Sequence, residues 1–155
     1  MTDFPISLTS PKQGCAGCQQ SEPLGFEFAF AYQPIVDLRD HSVFAHEALV
    51  RGVKGEGALS VLDQVKDSNR YRFDQQCRTK AIATASTLGL QTELSINVMP
   101  NAVYRPELCI RSTLEAARTH NFPLDRLIFE TLESGHVDNY RHLANILREY
   151  REFGT

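Results

Sequence analysis

Aromatic and β-branched residues crowd positions 28–37, with Phe28, Phe30, Tyr32, Ile35 and Val36 among them, and predict a strand. A second such run over 42–51 predicts another, and the polar Leu38-Arg39-Asp40-His41 between them makes a hairpin the expected connection. Leu59, Leu62 and Val65 fall at helical spacing, and Ser60-Val61-Leu62-Asp63 has the form of a capping box, so a helix of about two turns is expected there. A longer helix is predicted from about 71 to 88, where Phe73, Cys77, Ala81, Ala85 and Leu88 recur three or four apart and Gly89 supplies the stop. Leu94-Ser95-Ile96-Asn97-Val98 alternates as a strand does and ends at Pro100. Pro106 suits the first turn of a helix running to about His120, which Asn121-Phe122-Pro123 terminates. Leu127-Ile128-Phe129-Glu130 predicts a fourth strand. Asp138 is the expected cap of a last helix carrying Leu143, Ile146, Leu147 and Tyr150 and closed by Gly154.

From the hairpin onward this is the alternation of a parallel α/β fold. The order ends after a helix, where the next strand of such a fold would begin. Residues 1–25, with Pro5, Pro11, Gly14, Gly17, Pro23 and Gly25 and little apolar periodicity, read as an irregular leader, and the ordered domain is expected over 26–155.

Composition narrows the class. At 155 residues, 42% hydrophobic and 23% charged, the chain is expected to form one ordinary folded domain, neither a disordered tail nor a fibre. Its apolar runs fall well short of the roughly 18 residues of a spanning helix, so no membrane partner is expected. The acidic, discontinuous N-terminus argues against export and for the cytoplasm. A net charge of −3 without a basic block disfavours a nucleic-acid polymer as partner. Four cysteines are too few for a disulfide framework: Cys77 and Cys109 read as buried thiols. Cys15-Ala16-Gly17-Cys18, lacking a second pair at zinc spacing, reads as a reduced tail before a metal or redox site.

Side chains alternate along a strand, so Glu47, Leu49 and Arg51 share one face and His46, Ala48 and Val50 the other. Glu47 and Arg51 would lie about 13 Å apart along it, able to address opposite ends of an anion. Asn97 and Glu130 sit near the ends of separate strands, and carboxylate and amide oxygens so placed suit a hard cation such as Mg²⁺. Taken singly these residues have plainer readings: a salt-bridged or solvated strand end for Glu47 and Arg51, a turn or edge residue for Asn97, solvent-facing acids for Glu130 and Glu133. Arg111, Arg118, Arg126, Arg141 and Arg148 read as solvated charges, and His46 as a packed residue on the face opposite Glu47.

Together, Tyr32-Gln33-Pro34-Ile35-Val36-Asp37, Glu47-Ala48-Leu49-Val50-Arg51, Ser95-Ile96-Asn97-Val98 and Phe129-Glu130-Thr131-Leu132-Glu133 stand in the order and spacing of the EAL family, which the chain resembles from about residue 28 to its end. The resemblance implies a modified TIM barrel that hydrolyses cyclic di-GMP to linear pGpG with Mg²⁺ or Mn²⁺. Position by position it implies metal ligation by Glu47, Asn97 and Glu130 and dinucleotide contacts by Gln33 and Arg51. Glu133 matches the second acid of the fourth motif. Leu132 stands where the family usually has Thr, which weakens a supporting hydrogen bond.

The family continues with a strand ending in Asp-Asp-Phe-Gly, a lysine strand and a further glutamate, and this sequence contains none of them. The expected fold is therefore a partial (β/α) barrel, its first strand pair antiparallel and the barrel incomplete, since a whole one takes about 250 residues. With the metal-bridging aspartates and the lysine missing, no catalytic set is complete and the chain alone is expected not to turn over substrate. Its open edges would suit a second copy or a complementing chain. The alternative is a non-catalytic cyclic di-GMP-binding or protein-interaction module, and after that a bare scaffold.

Overall fold

The computed structural model describes residues 16–103, 105–131 and 139–154. Among these residues a single sheet of four strands, in the order β1 (Ala29–Val36), β2 (Val43–Arg51), β3 (Glu93–Val98) and β4 (Leu127–Thr131), carries the helices. The β1–β2 pair is antiparallel, and β2–β3 and β3–β4 are parallel. This is the expected partial α/β barrel: β1 and β4 lie at the two ends of the strand order, and the sheet does not close on itself. The hairpin turns through His41 at φ 60°, with Asp37 N–H donating to Ser42 O at 2.9 Å.

Short helix α1 (Ala16–Gln20) precedes the sheet, α2 (Ala58–Leu62) and α3 (Arg70–Thr87) connect β2 to β3, α4 (Pro106–Thr119) connects β3 to β4, and α5 (Tyr140–Glu152) follows. Helix α3 brings Ala81, Ile82 and Ala85 against the outward sheet face of Ala48, Leu94, Ile96 and Leu127, and α4 adds Ala116 and Ala117. The alanines let helix and sheet approach closely, so period-3.6 and period-2 apolar stripes meet in one core. Tyr32 reaches from β1 into this layer and its hydroxyl donates to Ala81 O at 2.7 Å. Burial pushes its phenol up to about 12. Val98, Val103, Cys109, Ile110, Ile146 and Tyr150 form a second cluster under α5, and Phe28, Val61, Phe73 and Cys77 a third beneath α2.

The helix stops are chemical. After α3, Gly89 at φ 70° donates to Ser86 O and Leu90 N–H to Ala85 O, and after α4 Asn121 at φ 52° and Phe122 N–H repeat the pattern with Arg118 O and Ala117 O. Both are Schellman closures, and Phe122 carries the second into the core.

Two caps differ from expectation. Helix α2 begins behind Gly57, so Ser60 is its third residue and donates to Gly57 O at 2.8 Å instead of capping. The cap of α5 is Asn139, whose Oδ1 accepts His142 N–H at 3.1 Å, while Asp138 lies outside the described residues. Within the segment read as a leader, α1 packs on α3, where Arg72 donates to Ser21 O at 2.9 Å and Glu22 N–H to Ser68 O at 2.9 Å. Among the described residues no helix is long and apolar enough to cross a membrane.

Ile82, wholly buried between α3 and the sheet, tests this core. Ile82→Ala is expected to lower the unfolding free energy by about 2–5 kcal/mol in urea titrations followed by circular dichroism. Leu147→Ala, on the half-exposed side of α5, should move it by less than about 0.5 kcal/mol.

Candidate functional site

The inward face of the sheet is fixed by register, because residues opposite one another on neighbouring strands share a face. Gln33 lies opposite Glu47, Glu47 opposite Ser95, and Asn97 opposite Glu130, which sets all five on the side away from α3 and α4. The five stand on four adjacent strands.

Hydrogen bonds cross this register. Asn97 Nδ2 donates to Glu47 Oε1 at 2.8 Å, so the amide turns from its opposite residue, Glu130, towards β2. Ser95, opposite Glu47, turns the other way and its hydroxyl donates to Glu130 Oε1. Strand β3 thus supplies a donor to a carboxylate on either flank. Each carboxylate is engaged on Oε1 alone among the described residues.

Arg51 ends β2 four residues beyond Glu47 and is half-buried, its Nη1 donating to Val50 O at 2.8 Å. Among the described residues it forms no salt bridge with Glu47, which removes the paired strand-end reading. The chain leaves the strand through Gly52, over which Glu56 folds; a Cβ there would run into the Glu56 carboxylate. Glu56 in turn accepts Lys54 N–H at 2.9 Å, fixing the exit beside Arg51. Gln33 is exposed on β1. A cavity of about 140 Å³ is lined, among others, by Arg51, Asn97, Asp74 and Met99.

Reading the sequence for chemistry missed Ser95 and Asp74. Ser95 is wholly buried, a polar interruption of an apolar strand two residues before Asn97 and therefore on its face; that spacing was the available signal. Asp74 adjoins the apolar stripe of α3 with Arg78 one turn on, and the two form a buried pair at 3.1 Å. Glu133 and Leu132 lie outside the described residues, as does Cys15. Cys18 is half-buried, its thiol donating to Tyr71 O at 3.8 Å, and Cys77 and Cys109 are buried, as expected. Burial pushes the Cys77 thiol up, which keeps it inert. His46 packs through Nδ1 against Thr92 Oγ1 at 2.7 Å. Among the described residues no three His, Cys, Asp or Glu side chains cluster as a metal site.

A sheet of this topology with these side chains on its inward face defines a class, and comparison with known proteins agrees. The sequence model of the EAL domain matches residues 20–155, and the chain belongs to that family. A standalone versatile EAL protein from Vibrio cholerae O395, solved in a c-di-GMP-bound form, is 49% identical with a TM-score of 0.80, over 85% of this chain and 56% of that one. BlrP1 of Klebsiella pneumoniae, solved as a manganese/cyclic-di-GMP complex, is 25% identical with a TM-score of 0.75, over 84% of this chain and 34% of that one. The blue light- and temperature-regulated antirepressor BluF of Escherichia coli K12 is 24% identical over 126 residues, 81% of this chain and 31% of BluF. The chain thus spans little more than half of the first of these and about a third of the others.

The Glu47–Asn97 contact can be tested by charge. Asn97→Asp replaces the N–H donor by a second carboxylate and is expected to cost about 1–3 kcal/mol of stability at neutral pH in EDTA. An unchanged denaturation midpoint would show that the two side chains do not meet.

Proposed function

We propose that this chain provides the N-terminal part of a cyclic di-GMP site of the phosphodiesterase type, in which Glu47, Asn97 and Glu130 hold Mg²⁺ or Mn²⁺ and Gln33 and Arg51 contact the dinucleotide. The observation that carries the reading is the 2.8 Å contact between Asn97 and Glu47, on a face where Glu130 stands opposite Asn97. Two carboxylates and an amide on adjacent strands are hard oxygen donors, and they fit an ion of this type. Such an ion supplies positive charge that polarises a phosphate ester and eases ionisation of a bound water.

The chain's own residues hold and orient. Ser95 and Asn97 fix the two carboxylates from the strand between them, so the ligands stand ready before an ion arrives. Arg51 carries a planar guanidinium suited to a phosphate, and Gln33 an amide with both donor and acceptor for a nucleotide edge. For a whole domain this reading gives linear pGpG as the product, and binding is the part that the residues of this chain would supply. The c-di-GMP-bound relative at 49% identity supports the ligand, and the manganese complex of BlrP1 supports the ion. The likeness to a protein named an antirepressor favours a second reading, a non-catalytic binding or protein-interaction module.

Calorimetry with cyclic di-GMP and Mn²⁺ tests the proposal. The chain is expected to bind, and Arg51→Ala to weaken binding by about tenfold or more, the worth of one hydrogen bond from a charged group. No heat in the presence of the ion would overturn it. Product formation by a form extended to a whole barrel, and not by the 155-residue chain, separates the enzyme reading from the module.

A further inference from the structure

Asp74 and Arg78 are each about 1% exposed, and no other salt bridge among the described residues is so deeply buried. Arg78 Nε donates to Asp74 Oδ2 at 3.1 Å, and its Nη1 donates to Cys109 O at 2.8 Å and Thr113 Oγ1 at 2.7 Å, tying α3 to α4. The other oxygen, Asp74 Oδ1, accepts Met99 N–H at 3.0 Å. Met99 is the first residue beyond β3, whose pairing with β4 ends at Val98 opposite Thr131, so its amide has passed the end of the ladder. It lies two residues past Asn97 and precedes the short 3₁₀ turn Pro100–Ala102.

A buried ion pair is a poor stabiliser, because removing two charges from water costs about what their attraction returns and an apolar replacement is often as stable or more so. The retained function is to be sought in what the pair touches besides itself. Here that is one backbone amide at the exit of the strand that carries Asn97 and Ser95. We propose that Asp74 is a positioning residue for Asn97: by holding the Met99 amide it fixes where β3 ends and how the Asn97 side chain meets Glu47. Arg78 keeps the carboxylate in place and locks it to α4. Burial pushes the Asp74 carboxyl up, while Arg78 and the Met99 amide pull it down. Asp74, Asn97 and Met99 line the same cavity. The inference rests on the reading of Asn97 as a metal ligand and extends it to a residue that touches no ligand.

Two double variants of the 155-residue chain isolate the acceptor. Asp74→Leu with Arg78→Met removes both charges and the acceptor; Asp74→Asn with Arg78→Met removes the charges and keeps an oxygen for the Met99 amide. The leucine variant is expected to stay folded, to shift the Asn97 side-chain amide resonance in ¹H–¹⁵N spectra, and to bind Mn²⁺ about 10- to 100-fold more weakly by electron paramagnetic resonance titration. The asparagine variant should restore the resonance and bring Mn²⁺ affinity to within about threefold of the native chain. An unshifted Asn97 resonance in the leucine variant overturns the proposal, and so does its failure to fold, which would make the pair a prop for the whole domain. Should the native chain bind no Mn²⁺, the metal reading falls, and the Asn97 resonance still decides whether Asp74 positions that side chain.

Discussion

Strand β3 is the constraint on which the inward face depends. It is flanked on both sides, and its two inward polar residues, Ser95 and Asn97, donate in opposite directions to carboxylates on β4 and β2. Two acids on one partly buried face would otherwise repel each other and lose hydration. A donor strand between them satisfies one oxygen of each without introducing a counter-charge that would compete with a cation. Register does the rest, because a slip by one residue would turn Asn97 outward into the helix layer and an apolar neighbour inward.

Holding that register is the work of the opposite face. Ala48, Leu94, Ile96 and Leu127 are buried against α3 and α4, so the hydrophobic core specifies which residues are left to face the site. The two Schellman closures end those helices with their chains directed back to the sheet: Leu90 and Phe122, which complete them, both pack on this core. A buried charge pair in the same layer links α3, α4 and the exit of β3. Core and helix stops thus hold β3 from the side opposite its polar residues.

Much of this was legible in the sequence because it follows from short-range periodicity. Alternation set Glu47 and Arg51 on one face, and the apolar stripe of α3 and Gly89 gave that helix and its stop within a residue. The motif residues Glu47, Asn97 and Glu130 emerged on one side of adjacent strands. What was not legible depends on partners distant in the chain. A Ser-x-x-Asp pattern resembles a cap, but Gly57 starts α2 earlier and Ser60 falls inside it. Ser95 shows its role only once Glu130, 35 residues on, is placed beside it, and Asp74 only once Met99 is, 25 residues on. Propensity sees neighbours in sequence, and these contacts are made by topology.

The same geometry bears on how an ion-binding face can exist before the ion. Many metal sites are unfolded without their metal because deprotonated ligands have nothing else to satisfy them. Here the donors of β3 already engage Glu47 and Glu130, and the hydrophobic layer behind them is complete without any contribution from the inward face. On the proposed reading a cation would meet two carboxylates already held in position through one oxygen each, which lowers the ordering cost of binding. On that reading the site would be preformed by its fold, with its affinity set by how well the ends of β3 and its neighbours are held.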